Sequence, residues 1–299
     1  MKIAITGGTG FLGRTLVRLL QETGHEPVIL TRNPENSNRD VQQVGYLHRD
    51  SRPESELGTV DAIVNLAGTS INDGRWTEER KAAILESRIR TTSEVLRIIR
   101  ALPEKPKVLV NASAVGVYPY SEKAVFTEDS PQGDGFLPGV VREWEWKAQA
   151  AEDVGVRTAF MRFGILLGRG GGALPLISLP YRLFAGGTVG SGRQWVSWIH
   201  VEDAARAILF ALESDSISGP VNTVAPGALR MKDFGKEVGR ALGRPHWMPA
   251  PAFALKAALG EKSEIVLKGQ HVVPKRLEQA GFRFKFPDAR SALEEIYQA

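Results

Sequence analysis

A short apolar segment, Lys2-Ile3-Ala4-Ile5-Thr6, runs without interruption into Gly7-Gly8-Thr9-Gly10-Phe11-Leu12-Gly13. The glycines Gly7, Gly10 and Gly13 have the spacing of a nucleotide-binding turn. The first permits a sharp change of direction, the second lets a pyrophosphate approach the main chain, and the third lets helix and strand pack closely. Leu12, Leu16, Val17, Leu19 and Leu20 then repeat at helical spacing, and Gly24 is placed to end the helix. Free N–H groups and the positive end of the dipole at that helix start would face phosphates. A strand–helix turn that only needs tight packing would use the same glycines, but the βαβ context favours the phosphate cradle.

The second strand, Val28-Ile29-Leu30, ends in Thr31-Arg32. A unit that takes NAD carries an acidic residue here for the ribose 2′-hydroxyl. That carboxylate is missing and a guanidinium follows, a planar and permanently charged fork that suits a 2′-phosphate. The expected cofactor is NADP(H); a solvated surface arginine is the alternative for Arg32.

The 299 residues, 42% apolar and 24% charged, suffice for one large globular domain or a domain with a smaller lobe. The net charge of +4 is spread along the chain, which gives no reason to expect nucleic acid. There are no cysteines, hence no disulfide, thiolate metal site or cysteine nucleophile, and the five histidines show no metal-ligand spacing. Met1-Lys2 runs directly into a core strand, and the apolar stretch 174–184 is broken by Pro175, Pro180 and Arg182. A cytoplasmic protein without a membrane partner is expected, acting on a small molecule, with a homodimer left open.

Strands and helices alternate. Val60–Leu66 reads as a buried strand, followed by Ala67-Gly68, where small residues let a ligand approach. A helix is expected from Trp76 to about Ala101, capped by Thr77 and stopped before Pro103 and Pro106. Val108–Asn111 is another strand, Val140–Glu152 a helix and Arg157–Phe163 a further strand. This rhythm predicts an α/β fold: a doubly wound parallel sheet of Rossmann type, with cofactor at the strands' carboxyl ends. Residues 1–168 would form the NADP-binding domain. Residues 169–299 would form a smaller C-terminal substrate lobe, partly interleaved with that sheet.

At the expected cleft stand Ser113 and Tyr118, placed to face the nicotinamide, or else to bond loop backbone and to pack at the surface. Trp195 and Trp198 would wall a pocket, or be core, with His200 beside them as a donor to substrate or a histidine satisfied by backbone. Asp203 reads as the N-terminal anchor of a helix over Ala204–Leu212. Phe282, Phe284 and Phe286 alternate like a closing amphipathic strand.

Taken with Asn65-Leu66-Ala67-Gly68, Arg75-Trp76-Thr77-Glu78-Glu79, Ser87-Arg88, Ser113-Ala114-Val115-Gly116-Val117-Tyr118, Trp144-Glu145, Trp198–Asp203 and Asn222–Pro226, the chain resembles an atypical short-chain dehydrogenase/reductase. It is similar to the epimerase/dehydratase-like "epimerase family proteins", including their C-terminal domain of unassigned role. The resemblance spans essentially the whole chain. It implies that NADP(H) contacts Gly7, Thr9, Gly10, Phe11, Leu12, Gly13, Thr31, Arg32, Leu66, Ala67, Gly68, Arg88, Gly164 and Ile165.

The superfamily's Tyr-x-x-x-Lys pair is missing: by the same resemblance its positions hold Leu137 and Val141, and neither transfers a proton. The usual catalytic hydroxyl falls on Ala114, and the arginine that grips a sugar diphosphate falls on Val196, with Arg193 out of step. Three readings follow. The first is an NADP(H)-dependent oxidoreductase or isomerase using Tyr118 as acid and Ser113 as hydrogen-bond donor. The others are a non-catalytic NADP(H) sensor and a nucleotide-sugar epimerase or dehydratase with relocated residues.

Overall fold

The structure, a computed structural model, describes residues 1–34 and 41–298. In chain order it runs β1 (Lys2–Thr6), α1 (Phe11–Glu22), β2 (Glu26–Thr31), β3 (Gln43–Gly45), α2 (Pro53–Leu57), β4 (Ala62–Asn65) and α3 (Glu78–Ala101). There follow β5 (Val108–Ala114), β6 (Val125–Phe126), α4 (Phe136–Gln149), β7 (Arg157–Phe163), β8 (Ile165–Leu167) and α5 (Leu174–Arg182). The C-terminal part adds β9 (Trp195–Val196), β10 (Trp198–His200), α6 (Val201–Glu213), β11 (Gly219–Thr223), β12 (Leu229–Arg230) and α7 (Met231–Leu242). It closes with α8 (Ala252–Leu259), α9 (Glu264–Leu267), β13 (His271–Val272), α10 (Lys275–Gln279) and α11 (Ala289–Gln298).

Seven strands form one sheet in the order β11-β7-β5-β4-β1-β2-β3, every pair parallel. The order turns back at β1, so a crevice opens between the carboxyl ends of β1 and β4. Alternation along β1 assigns the two faces. Ile3 and Ile5 join Leu12, Leu16 and Leu20 of α1 and Ala204 and Ile208 of α6, while Ala4 joins Val95, Ile98 and Ile99 of α3 on the other side. Each buried leucine, isoleucine or valine among them contributes about 1.5–3 kcal/mol. The doubly wound sheet read from the sequence is the observed fold.

Thr77 caps α3 as expected, its hydroxyl accepting from the Arg80 N–H at 3.2 Å. The start of α6 differs. His200 is the N-cap, its ring nitrogen accepting from the Glu202 N–H at 3.3 Å. Asp203, fully buried inside the helix, instead accepts the Lys285 and Phe286 N–H groups at 2.9 and 2.8 Å and Arg206 Nη1 at 2.7 Å. Its carboxylate therefore ties the C-terminal segment to α6. The phenylalanines it helps position form no strand; Phe282 packs edge-on against Phe284 and Phe210.

Residues after Gly168 re-enter the main sheet through β11 and cover it through α6. The remaining small strand pairs, β8–β10, β9–β12 and β6–β13, stand beside the sheet. Around them α5, α7 and α11 share a second core holding Tyr181, Trp198, Phe234 and Leu293. Among the described residues no helix is long and apolar enough to cross a membrane.

Candidate cofactor and substrate site

The crevice floor is a ladder of buried polar side chains. Thr6 Oγ1 donates to Asn65 Oδ1 at 2.6 Å and accepts the Leu66 and Ala67 N–H groups, each at 3.2 Å. The Asn65 amide donates to Asn111 Oδ1 at 2.7 Å and to Thr92 Oγ1 at 3.1 Å, and Thr92 also accepts the Trp144 indole N–H. These bonds fix the carboxyl ends of β1, β4 and β5 relative to one another. Thr92 and Asn111 were given no site role from the sequence, although an asparagine inside an apolar strand run is a usable signal.

Above this floor the turn from β1 into α1 is shaped by the absence of side chains. Gly7 has φ +69°, and a Cβ on it would lie 2.9 Å from the Leu66 carbonyl carbon. A Cβ on Gly13 would lie 2.1 Å from the Gly7 carbonyl oxygen, so only glycine lets α1 sit this close to the strand. The N-cap of α1 is Gly10, with no side-chain cap and no acidic residue in the first turn. The N–H groups of Phe11, Leu12 and Gly13 lack intrahelical acceptors and collect the positive end of the dipole. This cradle fits a pyrophosphate, and Thr9 is exposed beside it. Phe11 is covered by the glycine run after β8, where a Cβ on Gly171 would meet its ring at 2.3 Å.

Thr31 and Arg32 end β2 at the same edge, Thr31 half-buried and Arg32 exposed. Among the described residues Arg32 forms no ion pair with a carboxylate. Across the crevice Arg88 of α3 lies against Gly68, with Cγ 3.5 Å from where a Cβ there would be. Arg88 Nη1 donates to the carbonyls of Thr69 and Ile84 at 3.2 and 2.9 Å, and its guanidinium lies 5.0 Å from the Trp144 ring centre. Burial holds the Arg88 guanidinium down to about 10. A half-buried cation that meets carbonyls rather than carboxylates is prepared for an anion. Leu66, Ala67 and Gly68 line the β4 side, and Gly164 and Ile165 stand half-exposed where β7 ends, their N–H groups bonded to Thr223 O and Ser197 O.

The β5 edge is closed. Ser113 is buried, and its Oγ donates to Glu145 Oε1 at 2.5 Å. Glu145 accepts Arg162 Nε at 2.8 Å and Nη2 at 2.7 Å; Arg162 Nη1 donates to the Tyr118 hydroxyl at 2.9 Å. That hydroxyl donates to Asn222 Oδ1 at 2.7 Å, and the Asn222 amide reaches Val273 O at 3.1 Å. Burial pushes the Tyr118 phenol up, opposed by the Arg162 charge. Burial also pulls the Arg162 guanidinium down, but its bonds to Glu145 and Tyr118 leave it raised overall. The expectation that Ser113 and Tyr118 face the nicotinamide is corrected: Tyr118 is 1% exposed and both hydroxyl protons are held by protein acceptors. Ala114, Val115 and Gly116 are the half-exposed residues at this strand end, and Leu137 of α4 packs within 3.7 Å of where a Gly116 Cβ would be.

Two of the three pocket residues are also corrected. Trp198 is fully buried in the second core, its indole donating to Gly227 O at 2.9 Å. His200 is buried against Phe286 and meets Glu295 Oε2 at 3.1 Å through Nε2. Strand β10 pairs with β8 outside the main sheet, Trp198 opposite Ile165, and both side chains are taken up by the protein interior rather than offered to a ligand. Trp195 alone stays half-exposed, its ring between the Arg230 guanidinium at 3.8 Å and the His271 ring at 4.0 Å.

A family model described as "NAD dependent epimerase/dehydratase family" matches residues 3–223. The chain belongs to that family. A second model, for a domain of unknown function, matches residues 250–296. An epimerase family protein of Bacillus subtilis, YfhF, is 50% identical over 298 residues, covering 99% of this chain and 98% of its own. The chloroplastic SDR39U1 homologue of Arabidopsis thaliana is 42% identical over 304 residues, covering 100% of this chain and 87% of its own. The crystal structure of human epimerase family protein SDR39U1 with NADPH superposes with a TM-score of 0.89 at 35% identity, over 100% of this chain and 99% of that one.

Proposed function

We propose that the chain binds NADP(H) across the β1–β4 crevice and acts as an oxidoreductase or isomerase passing hydride between that cofactor and a small substrate. The observation that carries the reading is one crevice with an open helix N-terminus, Arg32 in place of the ribose-binding carboxylate, and an Arg88 cation with no carboxylate partner among the described residues. The NADPH complex of the human relative supports it. When bound, the nicotinamide supplies or accepts the hydride.

The protein's own part is positional. The Phe11–Gly13 N–H groups hold the pyrophosphate, Arg32 the 2′-phosphate, and Arg88 offers a second cation beside Gly68. Ala114, Val115, Gly116 and Leu137 give the reacting side a small, apolar wall. With Leu137 and Val141 unable to move a proton and the Ser113 and Tyr118 protons held internally, the substrate exchanges its proton with water. The closed hydroxyls also favour a second reading, a sensor that binds NADP(H) without turnover. The third reading, a nucleotide sugar, draws the least support from these residues, since Val196 is buried and Arg193 meets Glu122 at 3.2 Å.

The experiment is transfer of labelled hydrogen from NADPH to a panel of aldehydes, ketones, enones and imines. Transfer to any member supports the enzyme reading. Tight NADPH binding with no transfer to any of them replaces it with the sensor.

A further inference from the structure

Two segments after Gly168 carry apolar side chains that the described residues leave largely uncovered. The chain leaves α5 through Leu183 and Phe184, and Trp247 seats beside them. Its indole donates to Phe184 O at 2.8 Å and its backbone N–H to Gly186 O at 2.9 Å, while the Arg244 guanidinium lies 4.4 Å from the Phe184 ring centre. Ala250 then pairs with Thr188 and Gly190 at 2.9 Å each, just before α8 begins. Phe184, Trp247 and Phe253 are 55%, 63% and 77% exposed, with Leu176, Leu179, Leu183 and Met248 also exposed. Helix α8 reads AFALKAAL and buries none of its residues. An apolar helix that buries none of its residues ordinarily has a partner.

Phe184 gives a second, independent observation. It closes α5 at φ +59°, with its N–H bonded to Tyr181 O and the next N–H to Pro180 O. Glycine occupies such a helix end without strain. Keeping an exposed phenyl ring in a left-handed conformation marks a side chain that is used.

The charge pattern bears on what could cover this surface. Residues 170–190 and 243–260 contain Arg182, Arg244 and Lys256, all exposed, and no Asp or Glu. The carboxylates of neighbouring α7, Asp233 and Glu237, are paired with Lys236 and Arg240. Isologous contact with a second copy would set these cations against one another. We propose that this surface rests on an anionic lipid bilayer, with Phe184, Trp247 and Phe253 entering the headgroup–acyl boundary and the three cations meeting lipid phosphates. The expectation of no membrane partner rested on the lack of a spanning stretch, which a surface-lying contact does not need.

The test is sedimentation of the full chain with vesicles of phosphatidylcholine alone or mixed with phosphatidylglycerol. Binding is expected only to the mixed vesicles and weakens as salt rises. Phe253→Ser lowers the partition about tenfold, and Arg244→Glu or Lys256→Glu at least about fivefold each. Phe184→Gly weakens partition yet raises the melting temperature, which separates lost membrane contact from misfolding; unchanged NADPH affinity is the fold control. Absence of sedimentation with mixed vesicles overturns the proposal. So does equal binding to both vesicle types, indifference to Phe253→Ser and Arg244→Glu, or a solution dimer that these variants dissolve.

Discussion

At the β1 edge of the crevice the polar atoms are backbone N–H groups that local geometry leaves open. At the β5–β7–β11 edge they are side chains that satisfy one another. The first edge is made by thirteen contiguous residues, Met1–Gly13, in which missing Cβ atoms bring helix and strand together. The second joins Ser113, Glu145, Arg162, Tyr118 and Asn222, partners separated by 17 to 104 positions. An open edge awaits a ligand, while a closed one holds the fold. The same contrast explains why the cofactor is easier to infer than the reaction.

The comparison breaks most visibly at the closed edge. Glu145→Ala leaves the Arg162 guanidinium buried and uncompensated, and should cost about 3–5 kcal/mol in denaturant unfolding. NADPH affinity in the remaining folded protein should be little changed. A loss below about 1 kcal/mol would mean that the network is not structural. At the open edge Gly13→Ala forces a Cβ onto the Gly7 carbonyl. It should cost about 1–3 kcal/mol of stability and most of the NADPH affinity, read by thermal unfolding and titration. Tyr118→Phe removes a hydroxyl bonded to Arg162 and Asn222 and should cost about 0.5–1.5 kcal/mol, with any hydride transfer retained. Abolished transfer at normal stability would restore Tyr118 as the acid.

The smallest effect is a pH dependence. Burial holds the His200 imidazole below its ordinary value, against the pull of Glu295, and burial lowers His246 and His271 as well. As pH falls through about 6.5 the unfolded chain takes up protons that these folded imidazoles refuse, so stability falls between about pH 7 and pH 5. His200→Asn keeps an N-cap acceptor and should flatten the decline in melting temperature. A profile that rises toward acid contradicts a neutral buried ring.

How much of this was legible follows from range. The strand–turn–helix at the N-terminus, the Thr77 cap and the parallel sheet depend on neighbours in sequence, and each was read from it. Ser113 and Tyr118 also sat where cleft residues sit, but nothing local shows that Glu145 lies 32 positions on or Asn222 104 positions on. Trp198 and His200 misled because β10 looks like a sheet strand yet pairs with β8 to one side, under Phe286 and Glu295. Asp203 had the position of a cap but meets backbone N–H groups 82 and 83 residues away. Buried polar residues within apolar runs, Asn65, Asn111 and Arg162, were the one local hint of the networks.

The central claim is a phosphate cradle tuned by Arg32 to the phosphorylated dinucleotide. Calorimetric titration of NADPH and NADH into the natural protein and into Arg32→Ala tests it directly. Tight NADPH binding that weakens by about 1.5–3 kcal/mol in the variant, with NADH nearly unaffected, is the predicted result. No detectable NADPH binding, or an equal loss for both nucleotides, would contradict the account.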